Sequence, residues 1–319
     1  MFVETRIVFM GTPDFALPAL EMLCAQYPVV GVVTQPDRPA GRHRTLMAPP
    51  VKRLAEAEGV PVFQPERLRR LEAVEQVRSW SPDLIVVAAF GQILPAAVLE
   101  IPRYGTLNVH ASMLPRWRGA APIQAAILAG DPATGVTIMQ LDEGLDTGPI
   151  VAQREIPIGA METAGELTER MAHAGATLLR DILPDYLAGK LQPWAQPEEG
   201  VTMARRPAKG IEVLHWERPA VELARRVRAC SPKPGAYTLW GGQRLKVLQA
   251  KVLVDDVPVP DAQPGTLFVW DNLPAVVTGD GALVLLHLQM AGKRPMGGDA
   301  FLRGQRSAVG GVLIAPKAG

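Results

Sequence analysis

Asn108-Val-His110-Ala-Ser112 brings together the side chains of this sequence best suited to chemistry. Residues i and i+2 of a strand point to one face. A strand ending here sets the Asn108 amide beside the His110 imidazole, with Ser112 next in register before a Leu-Pro break. An amide N–H and a protonated imidazole can both donate to the oxyanion that forms when a nucleophile attacks a carbonyl carbon. A carboxylate arriving on a separate loop favours the charged imidazole and can order a water that takes a proton from an attacking amine. The acidic, glycine-punctuated turn Asp142-Glu-Gly-Leu-Asp146-Thr-Gly148 offers two such carboxylates, and spacing alone leaves Asp142 and Asp146 both open. No nucleophilic side chain is required if a substrate amine attacks directly, and neither cysteine lies in the motif. The other histidines lie on the long helix (His173), in a barrel strand (His287) or in polar or linker-adjacent sequence (His43, His215). These residues point to an α/β enzyme with an Asn/His/Asp site acting on a carbonyl.

The elements that must position them follow from periodicity. Arg6–Met10 reads as a strand running into Gly11-Thr12-Pro13 and a helix, with further strands at Val29–Thr34, Val60–Phe63 and Leu84–Phe90 and a helix at Val51–Gly59. Strands alternating with helices imply βαβ units in a doubly wound, mostly parallel sheet, whose ligands bind outside the carboxyl ends of the strands. Gly11 stands alone, so the dinucleotide fingerprint is missing and a dehydrogenase is disfavoured. Strands follow at Gly135–Leu141 and Ile150–Ile158. Thr163-Ala-Gly-Glu166 fits a capping box, and Leu167, Met171, Leu178 and Ile182 give the apolar stripe of a long closing helix.

Proline at 184, 193, 197 and 207 and glycine at 189, 200 and 210 mark a linker. Beyond it a helix at Ala220–Cys230 precedes short strands at Ala236–Trp240, Arg244–Leu253, Gly265–Trp270, Ala275–Thr278 and Ala282–Gln289, the pattern of a small OB-like barrel. The expected organisation is a catalytic domain over 1–189, a linker over 190–210 and a C-terminal domain over 211–319.

A length of 319 residues fits two cores, and 48% hydrophobic with 20% charged residues excludes a disordered chain. The net charge of +1 hides an asymmetry. Residues 1–200 carry 17 Lys+Arg against 23 Asp+Glu, a net −6, and the remainder carries 16 against 9, a net +7. A basic second half suits a polyanionic partner. So does the long Pro/Gly/Arg-rich connection Thr34–Met47, where Arg38, Arg42 and Arg44 are candidate phosphate contacts. The apolar N-terminal run is broken by Gly11-Thr-Pro-Asp14 and lacks a basic n-region, and Leu84–Phe90 is far too short to span a membrane. Cys24 and Cys230 are isolated, so neither a disulfide framework nor a Cys-rich metal site is expected. A cytoplasmic location, no metal and a monomeric chain are the expectation.

Asn108-Val-His110, Ser112-Met-Leu-Pro115, Arg116-Trp-Arg-Gly-Ala-Ala-Pro122 and Asp142–Gly148 together resemble the 10-formyltetrahydrofolate-dependent formyltransferases. Gly11-Thr-Pro-Asp-Phe15, Gln35-Pro-Asp-Arg-Pro-Ala-Gly-Arg42, Val136-Thr-Ile-Met-Gln140 and the basic C-terminal part are similar to the branch that acts on methionyl initiator tRNA. The resemblance covers nearly the whole chain. It implies a Rossmann-like formyltransferase domain with a C-terminal OB-like tRNA-binding barrel, and formyl transfer from 10-formyltetrahydrofolate to the methionyl α-amine for translation initiation. It further implies that Asn108 and His110 polarise the formyl oxygen while Asp146 orients His110 and assists proton removal. Ser112, Met113, Leu114 and Pro115 would contact the folate, with Phe90, Gly91, Ile93 and Leu94 walling its pterin pocket. Arg42, flanked by Arg38 and Arg44, would reach the tRNA acceptor end. Met113 stands where the family carries Leu, a volume-conserving exchange, and His43-Arg44 replace a usual Gly and Lys. Sibling enzymes acting on an amino sugar nucleotide or on glycinamide ribonucleotide share the Asn/His/Asp core, so only the Arg loop and the basic second half favour tRNA. A non-catalytic RNA-binding protein on the same scaffold is the contrasting class, and the intact core argues against it.

Overall fold

A computed structural model describes residues 5–40, 45–253 and 259–316. Backbone packing divides them into two units. The first holds the described residues up to Pro122 with Ala133–Pro157 and Thr168–Ala204. The second holds Ile123–Pro132, Ile158–Leu167 and the described residues from Arg205 onward.

The chain begins β1 (Ile7–Gly11), α1 (Leu17–Gln26), β2 (Val29–Val33), β3 (Arg38–Ala40), β4 (Thr45–Met47), α2 (Pro50–Ala57), β5 (Val62–Phe63), α3 (Leu71–Ser79), β6 (Leu84–Ala88), α4 (Ala96–Leu99) and β7 (Thr106–His110). Then come α5 (Pro122–Ala129), β8 (Ala133–Gln140), β9 (Ile150–Pro157) and α6 (Ala164–Leu187). The seven-stranded sheet has the order β5-β2-β1-β6-β7-β8-β9. Its pairs from β5 through β7 are parallel, and β8 and β9 add antiparallel. Central strands of a parallel sheet are covered on both faces, which is why β1, β6 and β7 are buried at every position and β1 and β6 read as unbroken apolar runs.

Where β6 was expected to continue to Phe90, it stops at Ala88, because Ala89 (φ +47°) and Gly91 (φ +84°) turn the backbone into a loop. On β7 the residue between Asn108 and His110 points to the other face. There a Cβ on Gly175 would stand 2.6 Å from Val109 Cγ1, so α6 approaches β7 at glycine distance.

The second unit contributes α7 (Ala220–Cys230), β10 (Tyr237–Trp240), β11 (Gln243–Val252), β12 (Leu267–Trp270), β13 (Leu273–Val277), β14 (Ala282–Met290), β15 (Met296–Gly297) and α8 (Gly298–Gly304). The antiparallel sheet runs β10-β11-β14-β13-β12, with β15 on β14. One face packs on α7 and α8 through Trp216, Leu223, Val227, Leu245, Leu285 and Phe301. The tail bridges both edges of this sheet. Leu239 and Ile314 exchange backbone hydrogen bonds of 2.9 and 3.1 Å, while Leu267 N–H donates to Gly311 and Leu313 N–H to Gly265. The sheet is thereby curled into an OB-like half-barrel. Among the described residues, no helix is long and apolar enough to cross a membrane.

Candidate active site

At the carboxyl end of β7, Asn108 (9% exposed) and His110 (6%) stand two residues apart on one strand face. The His110 ring is held at Nε2, which carries the proton because its partner, the Trp117 carbonyl at 3.0 Å, can only accept. The other ring nitrogen faces Asp146, with Nδ1 3.7 Å from Oδ2. That same oxygen accepts the Gly119 N–H at 2.8 Å. Among the described residues, none hydrogen-bonds the Asn108 carboxamide. Its polar atoms are not enclosed, so the donor beside the imidazole is open to a group arriving from outside.

The two acidic candidates separate by geometry. Asp142 turns back into its own loop, accepting the Gly144 N–H at 3.0 Å and the Thr147 hydroxyl at 2.8 Å. Asp146, four residues on, faces His110. Asp146 and Trp117 have positive φ (+53° and +63°), sparsely populated backbone that persists only where surroundings fix it.

The turn after β7 hangs from β8 and β9. The Ser112 hydroxyl donates to the Arg116 carbonyl at 2.6 Å and is wholly buried. Thr137, which pairs with His110 across the sheet, donates to the Ser112 carbonyl and accepts the Leu114 N–H. Gln153 donates to the Leu114 carbonyl at 2.8 Å, and the Leu114–Pro115 peptide is cis. Leu114 packs with Met139 and Ile150, and Met113 lies over Gly135, where a Cβ would come within 2.4 Å of its Sδ. In the loop after β6, Phe90 and Leu94 point into the core of the first unit beside Met10 and Val87. Ile93, by contrast, is 86% exposed. The Phe90 carbonyl accepts from Thr12 Oγ1 and Gln35 Nε2.

Arg38, exposed on β3, donates to Gln35. Arg42 and Arg44 lie outside the described residues. The root of their loop is fixed by Asp37, which receives Lys52 Nζ at 2.9 Å and Gln64 Nε2 at 2.7 Å. Burial pushes the Cys24 and Cys230 thiols up to about 11, so neither is a poised nucleophile.

Sequence reasoning missed Thr137, Gln153 and the segment from Trp194 to Ala204. Thr137 had one usable signal, the strand register opposite His110. The other segment had none beyond its prolines.

Residues 5–183 match the formyl transferase family and residues 209–306 its C-terminal domain. A methionyl-tRNA formyltransferase of Halorhodospira halophila is 51% identical over 310 residues, covering 97% of this chain and 99% of that protein. One of Bacillus subtilis is 46% identical over 312 residues, covering 97% and 98%. Among solved structures, WlaRD, a sugar 3N-formyl transferase, superposes with a TM-score of 0.65 at 16% identity over 91% of this chain and 99% of its own. HypX from Aquifex aeolicus, in complex with tetrahydrofolic acid, gives 0.61 at 19% identity over 96% of this chain and 48% of HypX. Both likenesses are of fold. With family matches over both units and near-full-length relatives at about half identity, the chain belongs to the formyl transferase family.

Proposed function

We propose that this protein transfers the formyl group of 10-formyltetrahydrofolate to the α-amino group of methionyl initiator tRNA. The acceptor is supported by relatives named methionyl-tRNA formyltransferase at 46–51% identity along nearly the whole chain. A folate-derived donor is supported by family membership and by a structural neighbour holding tetrahydrofolate.

The observation that carries the chemistry is the uncommitted Asn108 carboxamide beside the His110–Asp146 pair. It fits a carbonyl substrate, since a donor with no internal partner is preorganised for an oxygen that arrives from outside. The folate supplies the formyl carbon. As the methionyl amine attacks it, Asn108 donates to the oxygen gaining negative charge, and a protonated His110 can do the same only from Nδ1, since Nε2 is spent on the Trp117 carbonyl. Asp146 orients the imidazole and takes up the amine proton through a water. A new C–N bond forms to methionine, the bond to the folate nitrogen breaks, and the proton passes to that nitrogen.

Ile93 offers the folate an exposed apolar surface, and Gly91 lets backbone approach closely. Phe90 and Leu94 anchor that loop by burying their side chains, and the Ser112–Pro115 turn, after the neighbouring strand β7, is the other candidate folate contact. For the tRNA, Arg38 on β3 is a candidate cation, with Arg42 and Arg44 close by in sequence. On the second unit, the Arg244 guanidinium lies 3.4 Å over the Tyr237 ring and Lys251 Nζ 4.8 Å from that of Trp270. Paired cations and rings of this kind suit a nucleic-acid backbone.

The test is transfer from a labelled formyl donor to a panel of acceptors. Label should enter charged initiator methionyl-tRNA and leave uncharged tRNA, amino sugar nucleotides and glycinamide ribonucleotide unlabelled. Comparable transfer to a sugar nucleotide or to glycinamide ribonucleotide would sink the tRNA assignment.

A further inference from the structure

We infer that Gln196 is a positioning residue that holds the Asp146 loop in its working geometry, an inference that rests on the role proposed for Asp146. Gln196 lies in the Pro/Gly-rich stretch whose composition reads as a bare linker, yet its carboxamide is fully committed. Nε2 donates to the Asp146 carbonyl and to the Gly148 carbonyl, both at 2.8 Å. Oε1 accepts from Arg118 Nε at 2.9 Å and from its terminal nitrogen at 2.7 Å. Two donors and two acceptor positions exhaust what a carboxamide offers. One side chain thus ties the loop carrying Asp146 to the loop carrying Arg118 and Gly119, whose N–H binds the Asp146 carboxylate.

The surrounding segment is pinned on both sides of Gln196. Trp194 and Ile150 exchange backbone hydrogen bonds of 2.8 and 2.9 Å at the start of β9. Thr202 Oγ1 accepts the Trp117 N–H at 2.9 Å, and Ala204 N–H donates to the Arg118 carbonyl at 2.7 Å. Residues 194–204 therefore form a strap across both loops, with Gln196 as its polar bolt. Asp146 needs one, because its φ of +53° is a conformation that Asp tolerates but does not favour. Gly148 adds a constraint, since a Cβ there would collide with the Gln140 carbonyl, so the loop lies against the end of β8 at glycine distance.

The experiment is a double-mutant cycle on the full-length protein. Gln196→Ala and Gln196→Glu are each made alone and with Asp146→Asn. For every variant, kcat, both KM values, the pH–rate profile and Tm are measured. Gln196→Glu keeps an acceptor for Arg118 but loses both donors, so it separates clamping of the Asp146 loop from mere anchoring of Arg118. It also carries the cycle should the alanine variant not fold. Both single variants should lower kcat, by up to roughly 10²-fold for a misplaced catalytic group. Both KM values should change little, and the acidic limb of the pH–rate profile should move as it does in Asp146→Asn. In the Asp146→Asn background, either Gln196 change should cost little further, because both act through one group. If Asp146→Asn lowers kcat and Gln196→Glu behaves as wild type, or the two losses simply add, the positioning role is wrong and the reading of Asp146 stands. If Asp146→Asn keeps wild-type kcat, the reading of Asp146 itself is wrong.

Discussion

Asn108 is held in place by its strand pairing while its carboxamide is bonded to no described residue, which separates function from stability at a single position. Its neighbours Thr137, Ser112 and Asp142 all have their hydrogen bonds satisfied inside the protein. Replacing Asn108 with alanine removes no internal hydrogen bond, and the carboxamide is not enclosed, so little stability is at stake. Asn108→Ala should therefore melt near the wild-type temperature, while kcat falls by about 10²–10³, the usual loss for one oxyanion donor. A fall in Tm that tracks the fall in activity would show that the carboxamide is structural. The neighbouring histidine differs, since its ring is anchored at Nε2 and its replacement disturbs the turn at Trp117 as well. At this scale the sequence was legible where a fixed period governs geometry. Two-residue strand spacing put Asn108 beside His110. No period governs a loop, so spacing leaves Asp142 and Asp146 both open; the resemblance points to Asp146, and the Gly144 and Thr147 groups that claim Asp142 agree with it.

Among the elements, α6 shows how a local rule and a distant contact combine. Its start is a capping box: the Thr163 N–H and hydroxyl both donate to Glu166 Oε2, at 2.9 and 2.8 Å, and Thr163 Oγ1 accepts the Glu166 N–H at 3.3 Å. Those bonds, the backbone one first, hold the Glu166 carboxyl below its usual range. A carboxyl lowered on folding adds stability that is present above its unfolded value and lost as pH falls through the folded one. Glu166→Ala should thus lower stability at pH 7 by a few tenths to about 1 kcal/mol, modest because the group is solvent-screened. Thermal melts of the two proteins should converge as the pH falls below the carboxylate range. A gap that persists in acid would mean that the carboxylate is not its source. The box was readable because all its partners lie within four residues. The contact of Gly175 with Val109 was not, since a glycine in a helical stripe carries no sign of what approaches it. The strap over residues 194–204 and the tail that bridges β10 and the start of β12 were hidden for a related reason. Each is built from isolated backbone bonds between residues far apart in sequence, and such bonds leave no hydrophobic period.

Taken whole, the molecule divides its charge unevenly, and that asymmetry bears on its substrates differently. Under the proposed function, the site in the first unit would recognise the folate through backbone, the exposed Ile93 and a few polar groups, interactions that bulk salt screens weakly. The proposed polyanionic acceptor would instead be held by cations, for which Arg38 in β3 and Arg244 and Lys251 in β11 are candidates. Each phosphate neutralised by such a cation releases condensed counterions, so affinity falls steeply with salt, with a slope near −0.9 per duplex contact. The KM for methionyl-tRNA should accordingly rise by an order of magnitude or more between about 50 and 200 mM monovalent salt if several contacts form. The KM for the folate donor should stay nearly constant over the same range. Because Arg244 and Lys251 each lie over a ring on the second unit, neutralising them together as Arg244→Gln and Lys251→Gln should flatten the salt slope by about two contacts' worth. It should leave both kcat at saturating tRNA and the folate KM unchanged. An unaltered slope in that double variant would remove this face from the tRNA-binding surface and leave the work to the arginine loop. A loss of kcat would instead mean that the second unit also governs how the acceptor end is presented to His110 and Asp146.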